Sequence, residues 1–145
     1  RAGSDLGGEG ADWLKRSLGG GAFLFAEAVL GDPKFEESLK GLLDAAGLSL
    51  KRLPDDSPLF TGRMNGATGY QITKVGYTRS LMAERIGKPL PELWGIYDGQ
   101  SLVGLYSPFD IMFSQTGCKA FGNRGYAAED ARALATNLVL YLTAR

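Results

Sequence analysis

The hydrophobic and polar positions of the chain fall into alternating blocks, and the period of each block predicts its element. In Ala11–Leu18, ADWLKRSL, the apolar residues Trp13, Leu14 and Leu18 recur at helical spacing, which predicts a short amphipathic helix. Gly19-Gly20-Gly21 ends it, because glycine enters the left-handed cap conformation at low steric cost. The run AFLFAEAV that follows is apolar apart from Glu27, the pattern of a strand covered on both faces. Asp32-Pro33 then marks a helix start: the carboxylate caps orphan amides, and proline at the first helical position gives up an N–H that had no partner there. Phe35, Leu39, Leu42, Leu43 and Ala46 lie on one stripe of a 3.6-residue period, with Glu36 and Glu37 in the first turns and Gly47 at the end. LSLKRL predicts a short strand, and Pro54-Asp-Asp-Ser-Pro58 a turn.

Residues 59–91 are the least periodic part of the chain. YQITKVGY at 70–77 alternates as a strand does, whereas 61–69 and 78–91 read as loop, with a helical turn near Ser80–Arg85. LWGIYDGQSLVGLY divides at Asp98-Gly99, a strong short hairpin signal, so 93–97 and 101–106 are expected as antiparallel neighbours. After a loop over 107–125, YAAEDARALATNLVLYLTAR predicts a terminal helix whose buried stripe is Ala127, Ala131, Leu134, Leu138, Tyr141 and Leu142. Helices and strands alternate, which predicts an α/β fold: a mainly parallel sheet with an antiparallel hairpin and helices on both faces. The glycine-rich residues 1–10 read as a flexible lead-in, and 11–145 as a single domain.

Charge and composition narrow the function classes. Sixteen basic and sixteen acidic residues balance, which excludes a general nucleic-acid binder. The distribution is mildly uneven: over 61–90, Arg63, Lys74, Arg79, Arg85 and Lys88 face Glu84 alone. Two readings of that run are open, a solvated loop face or an anion-binding patch. The chain has no histidine, which removes His-dependent triads, His-containing zinc sites and His general bases. Its one cysteine rules out an internal disulfide and a thiolate zinc cage. No motif calls for a cofactor: Gly19–Gly21 follows a helix and precedes a strand, the reverse of a phosphate loop. Apolar runs such as Ala22–Ala26 are too short to span a bilayer, so no direct membrane insertion is expected.

Candidate chemistry collects in GLYSPFDIMFSQTGC, where Ser107, Asp110, Ser114 and Cys118 lie within a dozen residues. A nucleophilic thiol needs a base or an electropositive setting, and without imidazole Cys118 reads as structural or incidental. Strand ends are where α/β sheets gather ligands. Parallel strands at 22–29 and 101–106 would bring Glu27 and Asp32 to the same edge as Ser107 and Asp110, and these four are the candidate ligand-binding residues. No residue is assigned a catalytic or metal-ligating role. For Asp110 the alternatives are a loop clamp bonded to backbone amides or a carboxylate facing a polar ligand or cation. For Glu27, an ionised carboxylate inside an apolar run must emerge at the strand end, find a donor or raise its pKa.

The segments GGGAFLFAEAVLGDPKFEESLKGLL, LKRLPDDSPLF, LWGIYDGQSLVGLYSPFD and GYAAEDARALATNLVLYLT together resemble a bacterial family designated domain of unknown function 4159. Its members look like relatives of the class I glutamine amidotransferases and of the trehalose-utilisation fold. The resemblance implies a three-layer α/β/α, flavodoxin-like architecture and a larger, sometimes membrane-anchored bacterial parent. It also implies an additional N-terminal βα portion, which this chain is expected to lack. Two departures matter. The turn reads Asp56-Ser57-Pro58 where the family often has Asp-His-Pro, and Glu27-Ala28-Val29 replaces an acidic residue followed by cysteines. The function so implied is a non-catalytic ligand- or protein-binding module, partnered by other domains, a protein or a polar small molecule. The alternatives are a hydrolase using the carboxylates Glu27 and Asp110, with or without a divalent metal, and a structural assembly domain acting through 59–91 and an uncovered sheet edge.

Overall fold

In the computed structural model, residues 8–145 are described. Helix α1 spans Gly8–Gly19 and buries Ala11 and Leu14; it begins three residues inside the expected lead-in, whose residues 1–7 lie outside the described part. Strand β1 is Leu24–Glu27, shorter than the apolar run that announced it. Its alternation serves two layers: Leu24 and Ala26 pack with one cluster, Phe23 and Phe25 with another. A 3-10 turn at Val29–Gly31 leads into α2, Lys34–Ala45, which buries Leu39 and Leu43. Asp32 Oδ1 accepts the Lys34 N–H at 3.0 Å, as the capping pattern predicted. Strand β2 is Ser49–Arg52, and α3 is the single turn Pro58–Thr61, capped by Ser57 through the Leu59 N–H.

The 59–91 segment corrects two expectations. Its loop portion holds a small hairpin, β3 at Arg63–Met64 and β4 at Ala67–Thr68. The alternating stretch at 70–77 is no strand, because its bonded backbone groups find their partners in several different elements. The Tyr70 N–H and C=O are both taken by the side chain of Asn137, the Ile72 N–H by Phe60 O, the Val75 N–H by Pro89 O, and the Gly76 N–H by Asp130 Oδ2. With its bonds scattered over helix, turn and loop it forms no ladder, only an isolated bridge from Tyr77 to Tyr126. The helical turn is present as α4, Arg79–Met82, continued by a 3-10 turn to Arg85.

Strands β5, Trp94–Asp98, and β6, Ser101–Ser107, form the expected antiparallel hairpin, with Gly99 at φ 59° in its turn and a register shift at Ile96/Tyr97. The sheet order is β1-β6-β5-β2. Only β1–β6 is parallel, while β5–β6 and β2–β5 are antiparallel, so the sheet is mixed rather than mainly parallel. The cause is connection length: the hairpin turn forces β5 and β6 antiparallel, and β2 joins the open edge of β5.

Helix α5, Ala128–Ala144, completes the mixed α/β fold. Its buried residues are Ala131, Leu134, Ala135, Asn137 and Leu138, while Leu142, expected in the stripe, is 37% exposed. One core cluster joins α3 and α5 to Leu53, Leu93, Leu105 and Phe109; the other joins α1 and α2 to Ala26, Ile96 and Tyr106. Leu43, Leu59, Leu81 and Leu105 are all but fully buried, each contributing about 1.5–3 kcal/mol of apolar transfer. Among the described residues, no helix is long and apolar enough to cross a membrane.

Candidate functional site

The parallel pair places Glu27 opposite Ser107, so the carboxyl ends of β1 and β6 open onto the same loop, residues 108–125. This is the edge where the sequence placed its candidates, and it brings Glu27, Ser107 and Asp110 together. Asp110 is 1% exposed. Its Oδ1 accepts the Ser114 N–H at 2.7 Å and the Ser114 hydroxyl at 3.0 Å, and its Oδ2 accepts the Leu30 N–H at 3.1 Å. Its backbone runs alongside the loop's return: Asp110 N–H donates to Arg124 O, and Tyr126 N–H donates to Asp110 O. Glu27 Oε2 accepts the Ile111 N–H at 2.7 Å and the Met112 N–H at 3.1 Å. Both carboxylates therefore fasten backbone, the clamp alternative for Asp110 and the donor alternative for Glu27.

Two conformations depend on that fastening. Leu30 sits at φ 52°, ψ 22°, a left-handed geometry uncommon for a residue with a side chain, and the Asp110 carboxylate holds its N–H. Gly125 passes so close to the site that a Cβ there would stand 2.6 Å from Asp110 O and collide with the Ser114 hydroxyl. Only glycine fits.

The polar chain continues one step further. Asn123 Nδ2 donates to Ser114 Oγ at 3.1 Å, and the Ser114 hydroxyl donates its single proton to Asp110. This order fixes the Asn123 amide, since a flipped amide would set two acceptors against each other. Asn123 is 95% buried, and its Oδ1 has no hydrogen-bond partner among the described residues. The residue lines a cleft of about 370 Å³ together with Thr78, Arg79, Ser80, Cys118 and Lys119. Thr78 ties the cleft to the loop: its hydroxyl donates to Asn123 O at 2.5 Å and accepts the Gly125 N–H at 3.0 Å.

The remaining candidates are placed as follows. Ser107 is fully buried and donates to Phe109 O at 2.6 Å, closing the turn that Pro108 begins. Asp32 is exposed and its Oδ1 is engaged in capping α2. Cys118 is a free, exposed cysteine, and its Sγ makes no hydrogen bond to any of the described residues. Of the basic run over 61–90, Arg63, Lys74, Arg79 and Lys88 are solvated, while Arg85 is buried.

Burial pushes the Glu27 carboxyl up to about 7; the Ile111 and Met112 amides oppose the shift, and the charge of Asp110 adds to it. The third alternative for this residue is thus present as well. Among the described residues, no three His, Cys, Asp or Glu side chains converge as a metal-binding group.

No family model, no curated protein and no solved structure matches the chain. Sequence reasoning missed Asn123 and Asn137. Asn137 carried a signal, a polar side chain adjoining the apolar stripe of α5. Asn123, inside the loop segment FGNRGY, carried none.

Proposed function

We propose that the chain is a non-catalytic binding module, related to the domain of unknown function 4159 family and built on a three-layer, amidotransferase-like scaffold within a larger bacterial protein. Its seat for a polar ligand is the cleft walled by Thr78, Arg79, Ser80, Lys119 and Asn123. The observation that carries the reading is the contrast along one hydrogen-bonded chain: every polar side-chain atom of Asp110 and Ser114 has a partner, whereas Asn123 ends it with an unpaired buried carbonyl. Such an acceptor is costly without a donor, and a ligand N–H or O–H arriving in the cleft would supply one. The scaffold is supported by helices packed in separate clusters, α1 with α2 and α3 with α5, around one sheet. The absence of histidine supports the non-catalytic part.

One observation favours the carboxylate-dependent hydrolase instead, the Glu27 carboxyl held near neutrality beside Asp110. Against it stand the amides that already occupy both carboxylates. Thermal-shift screening with sugars, amino acids and nucleotides at millimolar concentration tests the module. A saturable rise in Tm that Arg79→Ala and Lys119→Ala weaken supports it, and a chain unmoved by every compound sinks it. Turnover separates the two readings, because the clamp makes Asp110→Asn lower Tm under either: the hydrolase expects a hydrolysis that Glu27→Gln abolishes, and the module expects none.

A further inference from the structure

Arg85 is the one member of the basic run that the fold withdraws from water, at 7% exposure. Its guanidinium lies 5.4 Å from the ring centre of Tyr77 and 5.1 Å from that of Phe109, which confine it. Of its five N–H donors, Nη1 engages Glu92 Oε1 at 3.1 Å and Nη2 engages Leu90 O at 3.3 Å, while Nε has no partner among the described residues. Glu92 locks a second wall, its Oε2 accepting the Trp94 indole N–H at 3.1 Å. Arg85 and Trp94 line a cleft of about 390 Å³ with Arg52, Lys88, Leu90 and Glu92.

The cleft is assembled from distant segments by the fold. Arg52 ends β2 opposite Trp94 of β5, and the turn that returns Lys88 N–H to Arg85 O brings the third cation in. Three cations face one carboxylate, and that carboxylate is already engaged by Arg85 and the indole. A charge so withdrawn from solvent is destabilising unless its donors are met, and the acceptor that meets a planar fork is an oxyanion.

We propose that this cleft is an anion-binding site, in which Arg85, Arg52 and Lys88 hold the oxyanion group, phosphate or carboxylate, of a small ligand, and Glu92 positions the guanidinium. This goes beyond the binding-module reading and does not depend on it, since the seat at Asn123 is a different cleft with a different wall.

The indole N–H of Trp94 reports from inside the cleft, and that of Trp13, 61% exposed on α1, is the internal reference. Inorganic phosphate and, separately, acetate are titrated into the wild-type chain by NMR at ionic strength held constant with chloride. The expected result is a saturable shift of the Trp94 resonance with Trp13 unmoved. A response to phosphate alone assigns a phosphate-bearing ligand, to acetate alone a carboxylate-bearing one, and to both a shared oxyanion seat. Arg52→Gln and Lys88→Gln, both on exposed side chains, each weaken the response about fivefold to tenfold, and Lys119→Gln in the other cleft leaves it unchanged. No saturable shift with either anion, equal movement of both indoles, or an undiminished response in the Arg52→Gln/Lys88→Gln double variant overturns the proposal.

Discussion

Two places in this protein withdraw charge from water, and they treat it in opposite ways. Beneath the 108–125 loop, Asp110 has both oxygens met, by the amides of Leu30 and Ser114 and the Ser114 hydroxyl. In the cleft beside β5, Arg85 has two donors met and its Nε–H unmet, with two further cations around it. The first arrangement converts burial into rigidity, because backbone amides cannot rotate away from the carboxylate that holds them. The second leaves part of its bonding capacity unmet in a residue that lines a cleft. A buried charge by itself does not mark a site; a buried charge short of partners does.

The largest effect that tests this contrast lies in the clamp. Asp110→Ala strips partners from the buried Ser114 amide and hydroxyl and the half-buried Leu30 amide and frees the left-handed Leu30, costing about 3–5 kcal/mol in denaturant unfolding. Arg85→Met keeps the bulk of the side chain and removes two hydrogen bonds, leaving Glu92 with the Trp94 indole as its remaining side-chain donor, for about 1–3 kcal/mol. If Arg85→Met costs as much as Asp110→Ala, the arginine is a structural clamp too and the contrast collapses.

How much of this was legible in the sequence follows from where the information sits. The start of α2 at Asp32-Pro33, the hairpin at Asp98-Gly99 and α5 are written in neighbouring residues, and all three are present. The parallel register of Glu27 with Ser107 joins residues eighty apart, and no local pattern encodes it. The same holds for 70–77, which alternates like a strand but has its backbone bonds claimed by Asn137, Phe60, Pro89 and Asp130. Glu27 and Asp110 were legible as candidates because an acid in an apolar run is anomalous wherever it lands. Arg85 was legible only as one of the basic run over 61–90, whose other members are solvated, and the closure of Tyr77 and Phe109 around it sets it apart.

A smaller effect sharpens the clamp side through pH. The Glu27 carboxyl titrates at about 7 in the folded chain and near 4.5 when unfolded, so between these values the folded state holds the extra proton. Stability from this group is fully present below about 4.5 and is lost as pH rises through about 7. Glu27→Gln keeps an acceptor for the Ile111 and Met112 amides and removes the titration. Unfolding free energies of wild type and Glu27→Gln measured across that window are expected to diverge as pH rises, wild type falling relative to the variant. Parallel curves would place the Glu27 pKa at its ordinary value and remove the one observation that favours carboxylate catalysis.

The smallest expected effect discriminates best on the cleft side, because its sign is informative. Arg52 and Lys88 are exposed, and neither makes an ion pair in the structure with any described residue. If the cations were there for stability, removing either would lower Tm. If they are there for an absent anion, they repel each other and Arg85 in the free chain. Lys88→Gln is then neutral or stabilising by up to about 0.5 kcal/mol at low salt, a gain that salt screens away. With saturating phosphate the order reverses, because wild type alone keeps the full set of donors and gains the larger linkage stabilisation. Thermal unfolding of wild type and Lys88→Gln, in chloride and in phosphate at matched ionic strength, reads all of this in one experiment. A Lys88→Gln chain that is less stable in both buffers by the same amount would make the cleft's charge structural, like the clamp's.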